Sequence, residues 1–164
     1  MDYLLDANIF IQAQNQHYGM DFCPAFWDFL KREAKRRTII STDMVYDELK
    51  LFNDEVSTWV VAHRDLLFTL SSEEEAIQKK FTEVANFVST HPTYKESEKD
   101  RFLSGADPWL IATANIMNLT IVTHEVLVPS NRTKVKIPNV AQRFHVTCIN
   151  PYRMIRDLGG QFVL

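Results

Sequence analysis

Tyr3-Leu4-Leu5-Asp6 constrains this chain more than any other stretch. A short apolar run stops on a carboxylate, and Ala7-Asn8-Ile9-Phe10-Ile11 then turns apolar again. An apolar run without alternation is the pattern of a strand buried on both faces, as in a parallel sheet. Open α/β sheets bind their ligands just outside the carboxyl ends of such strands, and that edge is where Asp6 falls. A carboxylate at this position also suits a helix cap. Asp6 alone therefore decides nothing, and the weight rests on how often the pattern recurs.

It recurs along the chain. Thr38-Ile39-Ile40-Ser41-Thr42, Thr120-Ile121-Val122-Thr123 and Val146-Thr147-Cys148-Ile149 read as further short strands, and Lys134-Val135-Lys136-Ile137 alternates like an edge strand. Helices are expected between them. One runs from Asn8 to about Gln16, and one from Phe22 to Arg36 with Phe22, Phe26, Phe29 and Leu30 inward. The basic tail of the second, Lys31 to Arg37, reads as a solvated helix end. Asp43 is expected to cap a third helix, Met44 to Phe52, and Val56 to Leu70 reads as another. Ser72-Glu73-Glu74-Glu75 has the form of a capping box, opening a helix striped by Ile77, Phe81, Val84 and Val88. Gly105-Ala106-Asp107-Pro108-Trp109 opens the most apolar helix, with Asp107 the expected cap and Pro108 at the first helical position, and Asn118 ends it. Pro151 to Leu158 forms the last. Strand–helix alternation of this kind implies an α/β fold: three α/β/α layers around a parallel sheet of four to five strands. Residues 1–164 read as a single domain, with a helical segment at about 53–104 between the core elements.

Composition excludes several classes of function. No apolar run approaches the ~20 residues that span a bilayer, so no membrane partner is expected. The first strand begins at once, so no signal peptide is expected. Cys23 and Cys148 show no CxxC spacing, which fits a reduced, cytoplasmic protein. A net charge of −3 rules out a chain that grips nucleic acid by overall charge. Any phosphate binding must come from local basic residues or from metal ions.

Three more acids repeat the Asp6 theme. Glu48 falls in the middle of the stripe made by Met44, Val45, Leu49, Leu51 and Phe52, where an unpaired carboxylate is costly. Asp107 begins the apolar helix, and Glu125 follows the Thr120–Thr123 strand as Asp6 follows the first. Four oxygen donors without His/Cys ligand spacing suit a hard cation, one or two Mg²⁺ or Mn²⁺ ions, better than zinc. Paired ions of this kind promote in-line displacement at a phosphodiester. Of the five histidines only His124 lies near this group, as a neighbour of the ligands. Lys134 and Lys136 are candidate RNA contacts.

The pieces Leu4-Leu5-Asp6-Ala7-Asn8-Ile9, Asp47-Glu48-Leu49, Ala106-Asp107-Pro108-Trp109-Leu110-Ile111-Ala112-Thr113-Ala114 and Val122-Thr123-His124-Glu125 resemble, in order and spacing, the PIN-domain ribonucleases, which include VapC-type toxins. That resemblance implies a metal-dependent endoribonuclease, the toxin of a toxin–antitoxin pair, with RNA as substrate, an antitoxin partner and often a homodimer. It places Asp6, Glu48, Asp107 and Glu125 as catalytic metal ligands, with Asn8 and Thr123 as supporting polar residues. Two features depart from the family pattern. Glu125 stands where aspartate or asparagine is usual, and Val126-Leu127-Val128-Pro129 replaces a second acid followed by phenylalanine. The likeness is closest to an uncharacterised PIN-like subgroup with this Thr-His-Glu turn and a later Lys-Val-Lys-Ile-Pro stretch.

Other readings stay open at this level. An aspartyl-phosphate phosphohydrolase would want Asp-x-Asp followed by Gly-Thr, where this chain has Asn8-Ile9-Phe10. A receiver-like phosphoacceptor would want an acidic pair on the first strand. The main rival is a PIN-fold module that binds RNA or protein without cleaving it.

Overall fold

A computed structural model describes residues 2–164. Four short strands, β1 (Tyr3–Leu5), β2 (Ile39–Ile40), β3 (Thr120–Val122) and β4 (Cys148–Ile149), form one parallel sheet in the order β2-β1-β3-β4. Around it lie α1 (Ala7–Gln12), α2 (Pro24–Lys35), α3 (Asp43–Lys50), α4 (Glu55–Ala62), α5 (Arg64–Leu67), α6 (Glu75–Ser89), α7 (Glu96–Ser104), α8 (Asp107–Met117), α9 (Ile137–Arg143) and α10 (Pro151–Asp157). The chain winds from β1 out to β2 and returns to β3 on the other side of β1. Crossovers that run in opposite directions from a parallel strand place helices on both faces when they keep the usual right hand, in line with the expected α/β/α layering.

The unalternated runs are buried as their pattern requires: Leu4, Leu5, Ile121 and Val122 are fully enclosed in the sheet. Phe10 on α1 packs into the same core, tilted against Phe68 and Trp59 at ring-centroid distances of 5.5 and 6.2 Å. The edge of β2 is covered rather than free. Ser41 N–H donates to Leu67 O, and Asp43 N–H to Leu70 O, at 2.8 and 2.9 Å. Such cover removes an open template for strand addition.

Several local expectations are corrected. Lys134–Ile137 is not a strand, although Val135 and Ile137 are buried as an alternating pattern demands. Side chains take the ladder's place: Arg101 Nη2 donates to Val135 O at 2.7 Å, and Val135 N–H donates to Glu98 Oε1 at 3.3 Å. The helix expected from Phe22 opens at Pro24, and Phe22 is 67% exposed. The helix expected to reach Gln16 turns π-helical over Ala13–His17. Val56–Leu70 is broken at His63, whose Nδ1 lies 2.7 Å from Trp59 O. Thr42, not Asp43, caps α3 by accepting Val45 N–H at 3.2 Å. Asp43 instead accepts from Ser72 N–H and Oγ–H, so no capping box forms and α6 opens at Glu75. Leu51 and Phe52 lie beyond the end of α3 and are exposed, as are Ile116 and Met117 at the end of α8. Glu33, in the tail read as solvated, is buried; it accepts from Arg32, Arg36 and Thr38 at 3.0, 3.3 and 2.8 Å.

The two phenylalanines make a test of this packing. Phe10→Ala should cost about 3–5 kcal/mol, the range for emptying a buried aromatic site. Phe22→Ala should stay within about 0.5 kcal/mol. Urea melts of both variants would read the difference, and equal losses would contradict the burial described.

Candidate functional site

Asp6 directly follows β1, where its N–H extends the ladder to Val122 O at 3.1 Å. It occupies the N-cap position of α1, yet its side chain makes no capping hydrogen bond. The carboxylate is 2% exposed and accepts a hydrogen bond from Thr123 Oγ–H at 2.9 Å. Thr123 follows β3 as Asp6 follows β1, so this bond bridges the crevice between the two strands where the strand order reverses. The Thr123 hydroxyl also accepts from Glu125 N–H at 3.1 Å.

Two further elements bring their acids to the same place. Asp107 is the first residue of α8; the N-cap is Ala106, so Asp107 is not the cap the sequence suggested. Glu48, on the inner side of α3, accepts Ala106 N–H at 2.7 Å and thereby locks α3 to the start of α8. Gly105 gives this contact its room. A Cβ there would stand 2.8 Å from Glu48 Oε1. The sequence reading gave Gly105 no role, because the demand comes from a residue far away in the chain.

Asp6, Glu48 and Asp107 line one cavity of about 450 Å³, together with Asn8, Arg101 and an apolar wall of Ile11, Leu51 and Phe52. Glu125 is not among its lining residues. Its Oε1 accepts Ile137 N–H, at the start of α9, at 3.3 Å. Its charge nevertheless acts on the other acids. Burial above all, then the charges of Glu125 and Glu48, push Asp6 up from 3.8 to about 7, against the Thr123 hydrogen bond that favours the anion. Burial, then Asp6, Glu125 and Glu48, push Asp107 up from 3.8 to about 8, with Arg101 opposing. Burial also raises Glu125, against Ile137 N–H, Lys136 and Arg101.

The remaining expected residues are placed as follows. His124 stands outside the cavity, stacked on His17 at 5.4 Å with Tyr152 edge-on to both rings, and burial holds its pKa down. Lys134 is exposed and Lys136 half-buried in the segment leading to α9, their charges acting on Glu98 and Glu125 respectively. Burial, with the charges of Glu125 and Asp6, pushes the Cys148 thiol up to about 12. Arg101 also lines the cavity, and no motif in the sequence marks it. Only the packing of α7 against the loop at Val135 brings it to the cavity.

Carboxylate oxygens are the donors a hard divalent cation prefers, and desolvated acids raised by burial and nearby negative charge are what such a cation relieves. Among the described residues, however, no three Asp, Glu, His or Cys side chains lie close enough to share one ion. The donor chemistry fits Mg²⁺ or Mn²⁺, while the spacing is that of repelling groups, two of them turned to backbone N–H partners.

Residues 3–162 match the family described as a domain of unknown function, DUF4411. No curated protein sequence matches the chain. Among solved structures, the chain is similar to one in the crystal structure of VapBC2 from Rickettsia felis bound to a DNA fragment from their promoter. The TM-score is 0.58 at 16% identity, over 92% of this chain and 98% of that one. At that identity the likeness speaks for the fold, the PIN-like arrangement expected from the sequence. The chain belongs to the DUF4411 family, and it carries that domain on a VapC-like PIN fold.

Proposed function

We propose that this protein is a metal-dependent endoribonuclease hydrolysing RNA phosphodiester bonds, the toxin of a toxin–antitoxin pair. One observation carries the reading. Asp6, Glu48 and Asp107, from three separate elements, line one cavity at the strand-order reversal, and Asp6 and Asp107 are raised by burial and by the charges of neighbouring carboxylates. A fold needing only helix caps would not desolvate carboxylates together, because each buried like charge raises the cost of the next.

Asp6, Glu48, Asp107 and, with a turn away from Ile137, Glu125 would hold Mg²⁺ or Mn²⁺. The cation supplies charge that lets an anionic phosphodiester approach, and Lewis-acid activation of water and phosphate. The chain's own residues do the positioning. Thr123 fixes the Asp6 carboxylate through its hydroxyl, and Gly105 leaves room for Glu48. Asn8, on the first turn of α1, offers a neutral polar group at the cavity wall. The structurally similar VapBC2 is a complex bound to promoter DNA, which supports an antitoxin for this chain too. The exposed Leu51 and Phe52 beside the acids offer an inhibitor segment an apolar seat. The rival reading, an RNA- or protein-binding module without catalysis, would keep the cavity but not need the acids.

With Mg²⁺ or Mn²⁺ the wild type should cut RNA and EDTA should stop it, while Asp6→Asn and Asp107→Asn each lose at least ~100-fold. Gel assays of labelled RNA would read this, and full activity in Asp6→Asn would point to another site. In cells, expression of the wild type alone should slow growth and Asp6→Asn should not. Growth curves that coincide would remove the toxin role and leave a nuclease of another kind.

The raised acids also set a pH dependence in EDTA. Above about pH 8 both are forced to ionise in the fold, and the full penalty applies. As pH falls towards 4 the folded state binds protons the unfolded chain does not, so stability rises. Each kcal/mol is worth about 2–4 °C for a chain of this size. Thermal melts should therefore show the wild type more stable at pH 5.5 than at pH 8. Asp6→Asn should be as stable as wild type or more so at pH 8, with a flatter profile. Millimolar Mn²⁺ should raise the wild-type melting temperature at pH 8 and do little for the variant. A wild type indifferent to both pH and metal would contradict the proposed site.

A further inference from the structure

We infer that Arg101 grips a phosphate oxygen of the substrate at the acidic cavity, held so that one guanidinium nitrogen is left for it. The inference rests on the nuclease reading for the identity of that substrate, a single-stranded RNA. The geometry is its own. Arg101 Nε donates to Glu98 Oε2 at 3.3 Å, and Nη2 donates to Glu98 Oε1 and Val135 O at 3.2 and 2.7 Å. These bonds use the nitrogens on one edge of the fork and fix its plane between α7 and the loop at Val135. Among the described residues Nη1 makes no hydrogen bond. The acceptor it faces is Asp107 Oδ2 at 3.9 Å, an ion pair too long to be a hydrogen bond.

The structural task is complete without Nη1. The two N–H groups it carries stand nearest Asp107, Arg101 lines the same cavity as Asp6, Glu48 and Asp107, and its side chain is 47% exposed. A planar, permanently charged fork suits phosphate oxygens, and one already tethered loses little side-chain entropy on binding. The cavity needs such a group, because its carboxylates repel the phosphate they are to act on. Lys134 and Lys136 fill this role less well, since neither lines the cavity.

The test measures binding in protein made inert by Asp6→Asn, with a labelled single-stranded RNA followed by fluorescence anisotropy over a range of salt. Arg101→Met in that background should weaken binding about tenfold and lower the salt slope by about one. Arg101→Lys should restore the slope. Glu98→Gln, which loosens the same tether but keeps the cation, should leave the slope as it was. Unchanged affinity and slope in Arg101→Met would reduce Arg101 to a strut and overturn the inference. So would a Glu98→Gln slope lowered as far as that of Arg101→Met. The two readings fail separately. If the wild type cuts no RNA yet Arg101→Met weakens binding as stated, the nuclease falls and the phosphate contact stands. If the wild type cuts and Arg101→Met binds unchanged, the reverse holds.

Discussion

The hydrogen bond from Thr123 to Asp6 joins the ends of the two central strands, and much of the structure exists to make it affordable. A fully buried carboxylate among other carboxylates is costly, and one hydroxyl does not offset its desolvation, as its raised pKa shows. The fold tolerates the arrangement because the surrounding core is dense and apolar, with Leu4, Leu5, Ile9, Phe10, Ile121 and Val122 enclosed around it. Desolvated carboxylates gathered where strands end, on a rigid scaffold, mark a candidate functional site.

The helical segment between α3 and α8 serves that site from outside the sheet. Its first half runs through α5 to Leu70 and covers the edge of β2. Its second half ends in α7, where Glu98 and Arg101 take over the backbone of Val135 and leave a cation at the cavity. Between them α6 packs against α8, with Phe81 and Trp109 stacked at 3.9 Å, which holds the start of α8 and therefore Asp107 in position. Glu48 completes the frame by accepting Ala106 N–H, so a single carboxylate both fastens α3 to α8 and faces the cavity.

Burial of the strands was legible because unbroken apolar runs have one low-energy solution in a parallel sheet. The capping residues were less legible. Thr42, Asp43 and Ser72 compete for the same backbone groups, and only the approach of the Leu70 segment decides which of them caps and which is donor or acceptor. Phe22, Leu51 and Phe52 misled because hydrophobicity says that a side chain gains by burial, not that the fold supplies a surface to bury it. Lys134–Ile137 misled for a related reason: alternation reports which side chains face inward, and Val135 and Ile137 do, but not whether a neighbouring strand is there to pair.

The sequence by itself determined the layered α/β architecture and the acids at or near the strand ends, since both follow from local runs and their spacing. Tertiary structure alone decided which of those acids share a cavity. Asp6, Glu48 and Asp107 do, while Glu125 turns to the N–H of Ile137 and His124 stacks on His17. It also decided that Gly105 lies against the Glu48 carboxylate and that Arg101, tethered to Glu98 and Val135, turns Nη1 towards Asp107. The physical reason is range. Secondary structure is set by neighbours within a few residues, whereas a site is set by contacts such as Thr123 to Asp6, and these exist only after the chain has closed loops of tens of residues.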